Sequence, residues 1–392
     1  MLTLQSAIGS EWRLFFCAFS GIDQALYNNN FKLREIWGMK KSVLGSTAFV
    51  AAGLIAAPSA IAAEKLHIGV SGYMEQWLGY TTVEDNDFSR DVDGFDVKSD
   101  SEIHFEGSTT LDNGINLGVN VQLEANTDKN DQIDESYLFM KGSFGEINLG
   151  SVNSAMHNMH FAPSDFGIGI NSGDQAEWSG FSGSEIDQPQ YSRSVLNSTY
   201  IDPNLAHDSE KLTYYTPRFA GIQLGASYSP DNLHDSNSAV NRDLDSSDMV
   251  AFGANYTGDF SGMSMGVSMG YGTFLESGFK HDKPKSYNAG ITLGMRGIGI
   301  GASWAEANNS FADGSAYNLG VSYETGPLGV SLTYFNGVLD KSVSQNTIHL
   351  SGKYALAPGI DAKATLGHAN FEEYHNEEID ATYLVTGIRV SF

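Results

Sequence analysis

The chain has 392 residues, with 22 Lys and Arg against 47 Asp and Glu, 43 Gly, nine Pro and one cysteine, Cys17. A formal charge of −25 argues against binding nucleic acid by phosphate neutralisation. A single cysteine excludes an internal disulfide and any multi-cysteine metal site.

Residues 1–38 match no targeting pattern and read as an upstream start artefact or a non-structural extension. Met39-Lys40-Lys41 opens a basic segment, small and apolar residues follow from Val43 to Ala57, and Pro58-Ser-Ala-Ile-Ala-Ala63 ends in small residues. Residues 39–63 therefore read as a signal peptide cleaved after Ala62 or Ala63. Its apolar part is shorter than the roughly 20 residues a membrane helix needs, and no later apolar run approaches that length. Residues 1–63 hold five Lys and Arg and three Asp and Glu, so the chain from 64 on keeps 17 basic and 44 acidic residues, formally −27, and no thiol.

From there, segments of period two recur: 65–80, 98–111, 114–126, 132–142, 146–151, 209–217, 222–230, 247–258, 262–274, 285–296, 298–307, 314–325, 328–337, 345–357, 360–371 and 380–392. Ile115, Leu117, Val119, Val121 and Leu123 alternate with Asn116, Gly118, Asn120, Gln122 and Glu124, and Tyr317, Leu319, Val321 and Tyr323 with Asn318, Gly320 and Ser322. The connections alternate too. Short turns such as Asp112-Asn-Gly114, Ser143-Phe-Gly145 and Pro358-Gly359 follow long stretches such as 81–97, 152–208 and 231–246. A soluble sandwich has no reason to gather its long loops at one end. An outer-membrane barrel does. The expected fold is all-β: a 16-stranded antiparallel transmembrane β-barrel with short periplasmic turns, long outer loops and both ends of the sheet on the periplasmic side. Sixteen strands of about 10 residues enclose an aqueous channel. Trp77, Tyr80, Tyr214, Tyr228, Tyr256, Phe260, Phe274, Tyr334, Phe371 and Phe392 lie near strand ends, where interfacial aromatic girdles belong.

The last strand shows the two faces. Leu384, Ile388, Val390 and Phe392 share one face, while Gly387, Arg389 and Ser391 share the other. In a barrel the first set meets lipid and Arg389 points into the lumen.

The stretch 152–208 is too long for an idle connection. Gly167, Gly169 and Gly173 would let it lie against a wall, and it carries Asp165, Asp174, Glu177, Glu185 and Asp187. It reads as an inward loop whose carboxylates constrict the pore and attract cations. Strand alternation adds Glu102, His104, Glu106 and Glu124 to the inner face, with Lys353, Lys363 and Arg389 on the other wall. Opposed charges in a narrow pore orient polar solutes, and the acidic excess favours cations.

Asp85, Asp87, Asp91 and Asp93 in the first loop are weak calcium ligands without an EF-hand spacing, so no firm cofactor follows beyond loosely bound calcium. His157 and His160, three apart and near Asp165, mimic a metal pair but lack a further clear ligand. No G-x-S-x-G, H-E-x-x-H or P-loop is present. His349 and Ser351 lie on the inner face, not at the lipid face a barrel lipase would use. The chain does not read as an enzyme.

Four stretches in order resemble the Gram-negative general porins, especially the alphaproteobacterial type. They are Gly69-Val-Ser-Gly72-Tyr73-Met-Glu-Gln-Trp77, Gly142-Ser-Phe144-Gly145-Glu-Ile-Asn-Leu149-Gly150, Tyr215-Thr-Pro217-Arg-Phe219-Ala-Gly221-Ile-Gln-Leu-Gly225 and the terminal Phe392. The resemblance spans 64–392. It implies a trimeric diffusion channel whose third outer loop folds inward, and a terminal aromatic read by the barrel-assembly machinery. Where relatives carry Arg after the glycine matching Gly150, this chain has Ser151, so the resemblance supplies no basic wall there. The expectation is a weakly cation-preferring passive channel for small hydrophilic solutes and ions in the outer membrane of a Gram-negative bacterium, among lipid and lipopolysaccharide. The alternatives are a substrate-specific channel, or a barrel adhesin or lipid-active enzyme.

Overall fold

The structure is a computed structural model that describes residues 66–85, 92–125, 132–180, 193–233, 238–243, 246–277, 282–310, 312–340, 343–373 and 378–392. The extension, the signal peptide, Cys17, Asp87, Asp91, Glu185 and Asp187 lie outside the described residues.

The strands are β1 (Gly69–Asp85), β2 (Gly94–Thr110), β3 (Asn116–Glu124), β4 (Ile133–Gly142), β5 (Gly145–Ser151), β6 (Glu210–Tyr215), β7 (Ile222–Ser229) and β8 (Ser247–Phe260). They continue with β9 (Met263–Glu276), β10 (Lys285–Met295), β11 (Ile298–Asn308), β12 (Gly314–Thr325), β13 (Leu328–Leu339), β14 (Val343–Ala357), β15 (Ile360–Glu373) and β16 (Glu378–Ser391). Each pairs antiparallel with its sequence neighbours, and β1 closes on β16 with Glu75 opposite Arg389. Closure satisfies every strand edge internally, which a sheet in lipid requires. The backbone of Phe392 extends the seam through two hydrogen bonds of 3.0 Å with Gly72.

The alternation becomes two faces. On β16, Leu384, Ile388 and Val390 are exposed, while Tyr383 and Val385, on either side of Leu384, are buried. Tyr317, Leu319, Val321 and Tyr323 of β12 are likewise exposed. Large apolar side chains thus point outward around the barrel, the pattern that lipid rather than water rewards. The inner face carries small polar residues, among them Ser268, Ser303, Asn318, Ser331 and Thr365, and these are buried.

What buries them is the connection between β5 and β6, whose described residues 152–180 and 193–209 fold into the barrel. Its helix α1 (Ala155–Asn158) packs on β7, β8 and β9. The Asn288 amide donates to the Met156 carbonyl at 3.1 Å. The backbone amides of Phe161, Phe166 and Ile168 then donate to Ser268, Ser331 and Thr365 hydroxyls at 2.8, 3.1 and 3.2 Å. Thr81 of β1 donates to the Trp178 carbonyl at 3.2 Å. A loop has no ladder to satisfy its backbone, so a wall of hydroxyls and amides takes that role. Contact is close: a Cβ on Gly79 would stand 2.1 Å from the Trp178 ring, and one on Gly167 1.8 Å from the Thr365 hydroxyl.

Two expectations change. Trp77, Phe274 and Phe371 are not girdle residues; they face inward and are buried. Phe274 and Phe371 pack with Met249 and Phe335 of the wall against Ile168, Ile170, Leu196 and Ile201 of the loop. The interior therefore holds an apolar layer beneath the loop, which pins it by burial as well as hydrogen bonding. The long connections also shorten toward the end of the chain, because β13–β16 run further than their patterns promised.

Candidate functional site

Where the loop meets β1, β2 and β3 it leaves a cavity of about 220 Å³ lined by Glu75, Trp77, Ser99, Asp100, Glu124, Ile168, Asp174, Glu177 and Trp178. Five of these side chains are carboxylic acids and none is basic. Asp174 and Glu177 arrive on a 3₁₀ turn (Asp174–Glu177) of the loop, while Glu124 arrives from the wall opposite Glu102 in the β2–β3 ladder. Tyr73 donates hydrogen bonds of 3.1 Å to both Asp100 and Glu102. The Asp174 side chain is accessible from the cavity, yet protein surrounds it closely. That enclosure, together with the charges of Asp100, Glu177 and Glu75 and against a hydrogen bond from Ser172, pushes its carboxyl up to about 7.

The bases do not stand on the opposite wall. Lys363 and Arg389 reach the same oxygen of Glu75, at 2.9 and 2.8 Å, and the Arg389 guanidinium stacks 3.7 Å above the Tyr73 ring. Closing the barrel sets β16 beside β1, so charges far apart in sequence become neighbours. Lys353 faces inward, 3.2 Å from Glu324 and 4.5 Å over the loop's Phe166 ring. Glu106 has the same inner-face register as Glu102 but lies exposed, opposite Gly69 near the start of β1.

Asp165 is not in the acid-lined cavity. Its carboxylate is buried against β13 and β14, 3.3 Å from His349 Nδ1 and 3.4 Å from Ser331 Oγ. Burial opposes its charge, yet the hydrogen bond and the electrostatic attraction of His349, with hydrogen bonds from Ser351 and the Gly167 amide, outweigh it and hold the acid down at about 2. On the other side of the ring, His349 Nε2 and the Tyr383 hydroxyl are 2.7 Å apart. A carboxylate can only accept, so His349 presents Nδ1–H to Asp165, and in the neutral ring Nε2 accepts from Tyr383. The group is a latch between loop and wall.

The His157–His160 pair does not assemble around Asp165. His160 is held by Thr199 at 3.1 Å and Ser268 at 3.4 Å. His157 instead turns toward Asp202 and His207. In the first loop, Asp85 ends β1 and Asp93 accepts a hydrogen bond from the Val83 amide at 2.5 Å. At the root of the long loop, Ser151 donates to the Asp208 carbonyl and Arg193 bridges Asp208 and Asp134. Sequence reasoning missed Glu75 and Asp100. Asp100 shares the parity of Glu102 and was within reach; Glu75 sits on a strand with large apolar or aromatic groups on both faces, which hides the polar one.

A family model described as Gram-negative porin matches residues 46–374. The chain belongs to the Gram-negative porin family. An uncharacterised protein of Rickettsia bellii is 22% identical over 332 residues, covering 66% of this porin and 76% of its own length. One of Rickettsia prowazekii is 24% identical over 295 residues, covering 65% and 66%. Among solved structures, the anion-selective porin from Comamonas acidovorans aligns with a TM-score of 0.56 at 14% identity, over 84% of this chain and all of that one. A triple mutant of the Rhodopseudomonas blastica porin aligns at 0.52 and 16%, over 83% and all of its length. At such identities these structures share the fold. Family and barrel together make this porin an outer-membrane channel.

Proposed function

We propose that this porin is a passive, weakly cation-preferring channel for small hydrophilic solutes and ions. The observation that carries the reading is the acid-lined cavity, in which loop acids Asp174 and Glu177 face wall acids Glu75, Asp100 and Glu124. Two of the nearest bases are spent on one of these acids, Glu75. Carboxylates in a narrow, low-dielectric passage concentrate cations and repel anions. The selectivity named for the Comamonas relative is therefore not carried over. The working form is a homotrimer among lipid and lipopolysaccharide, exported by the signal peptide at 39–63 and inserted by assembly machinery that reads Phe392. Glu185 and Asp187 belong to the same loop and add to its negative charge. Loosely held calcium at Asp85, Asp87, Asp91 and Asp93 fits the outer, acidic end of β1.

Zero-current potentials across planar bilayers in a KCl gradient test the reading. Potassium should permeate about severalfold better than chloride. Anion preference, or no ohmic channels from folded protein, would overturn it.

A further inference from the structure

The root of the inward loop holds a second cluster that the channel reading leaves unused. His157 lies on α1, Asp202 precedes a 3₁₀ turn (Pro203–Leu205), and His207 follows it. The ligand-capable atoms of the three side chains all lie within 4.8 Å of one another. Asp202 Oδ2 is 4.0 Å from His157 Nδ1 and 3.7 Å from His207 Nδ1. These separations are too long for direct hydrogen bonds. Three ligands around a tetrahedral zinc at bond lengths near 2.1 Å stand about 3.4 Å apart, so modest contraction would close the set.

The surroundings are built as a ligand set is built. His207 Nε2 lies 3.1 Å from the Arg193 carbonyl. A carbonyl only accepts, so Nε2 carries hydrogen, and in the neutral ring the Nδ1 lone pair faces Asp202. His157 Nδ1 is a buried nitrogen with no hydrogen-bond partner. Asp202 is fully buried and fixed by the amide and hydroxyl of Ser154. Around the three residues, the carboxylates Asp134 and Asp208 match the cations Arg193 and Lys211 in number, leaving Asp202 as the anionic ligand of the set. The Asp202 carboxylate and the Nδ1 atoms of both rings thus lie around one point, as the ligands of a single ion would.

We infer that His157, Asp202 and His207 form a binding site for a borderline divalent metal of the zinc type, with a fourth position open to water. Two imidazoles argue against calcium and magnesium, which take oxygen ligands. The metal would tie the helix that begins the loop to the turn that ends it, clamping the constriction at its root. The site stands on its own residues and is independent of the channel's ion preference.

The experiment uses the full, folded barrel, stripped with chelator and titrated with Zn2+ against a chromophoric competitor, with Co2+ as a spectroscopic probe. One ion per chain should bind, with cobalt showing the visible bands of a low-symmetry, nitrogen-containing site. His157→Gln and His207→Gln should each weaken zinc about tenfold or more while conductance and heat-resistant migration show the barrel intact. His157 is partly exposed whereas His207 is buried, so the His157 substitution should disturb folding less and keeps the test decisive if the His207 variant does not fold. No stoichiometric zinc, zinc affinity unchanged in His157→Gln, or equal affinity for Ca2+ would overturn the proposal.

Discussion

Asp165, His349 and Tyr383 show how single side chains hold a loop that no ladder can hold. The pair is buried, so losing one partner strands the other. Asp165→Asn should cost about 1–3 kcal/mol, read as a lower denaturation midpoint together with faster proteolysis within the loop. The pH dependence follows from the depressed acid. Its stabilising effect is complete above the ordinary aspartate value and is lost as pH falls toward about 2. Acid unfolding of Asp165→Asn should therefore lack part of the stability lost by the parent in that window. Gly79 makes a second test. A methyl there would enter the Trp178 ring, so Gly79→Ala should displace the loop at the cavity and change single-channel conductance, at a cost of about 1–3 kcal/mol from overpacking.

At the scale of elements, the proposed selectivity rests on the meeting of the loop's 3₁₀ turn with β1–β3. Asp174, pushed up to about 7, is largely neutral below that pH and negative above it. Cation preference should rise between about pH 6 and pH 8, and Asp174→Asn should flatten this step; reversal potentials at several pH values measure both. The β16–β1 seam has the opposite lever. Removing the Glu75 charge leaves Lys363 and Arg389 without their shared carboxylate. Glu75→Gln should lower the potassium-to-chloride permeability ratio by a factor of about two, in the same bilayer measurement.

The whole molecule sets the field in which those elements work. From residue 64 on, the chain carries 44 acidic residues against 17 basic, and its outer face is apolar. Mobile salt screens such a field over about 10 Å at 0.1 M but about 3 Å at 1 M. Cation preference should thus weaken as salt rises across that range, whereas a purely steric sieve would show no change.

The sequence by itself determined the barrel. Period-two alternation on sixteen segments and the long–short rhythm of connections are local properties, written in neighbouring residues, and Leu384, Ile388, Val390 and Arg389 take the faces that their spacing dictates. Glu124, Asp174 and Glu177, which line the acid-rich cavity, were legible as inward-facing acids for the same reason, lying on a strand's polar parity or in an overlong loop. Tertiary structure alone decided which of them meet. Asp165 turned to a histidine nearly half the chain away, Glu75 met two bases across a seam that exists only once the barrel closes, and Phe274 and Phe371 left the girdle for an apolar layer under the loop. Those pairings follow from closure and from the loop's path. Both are long-range outcomes of burying backbone and apolar surface together, and no local period encodes them.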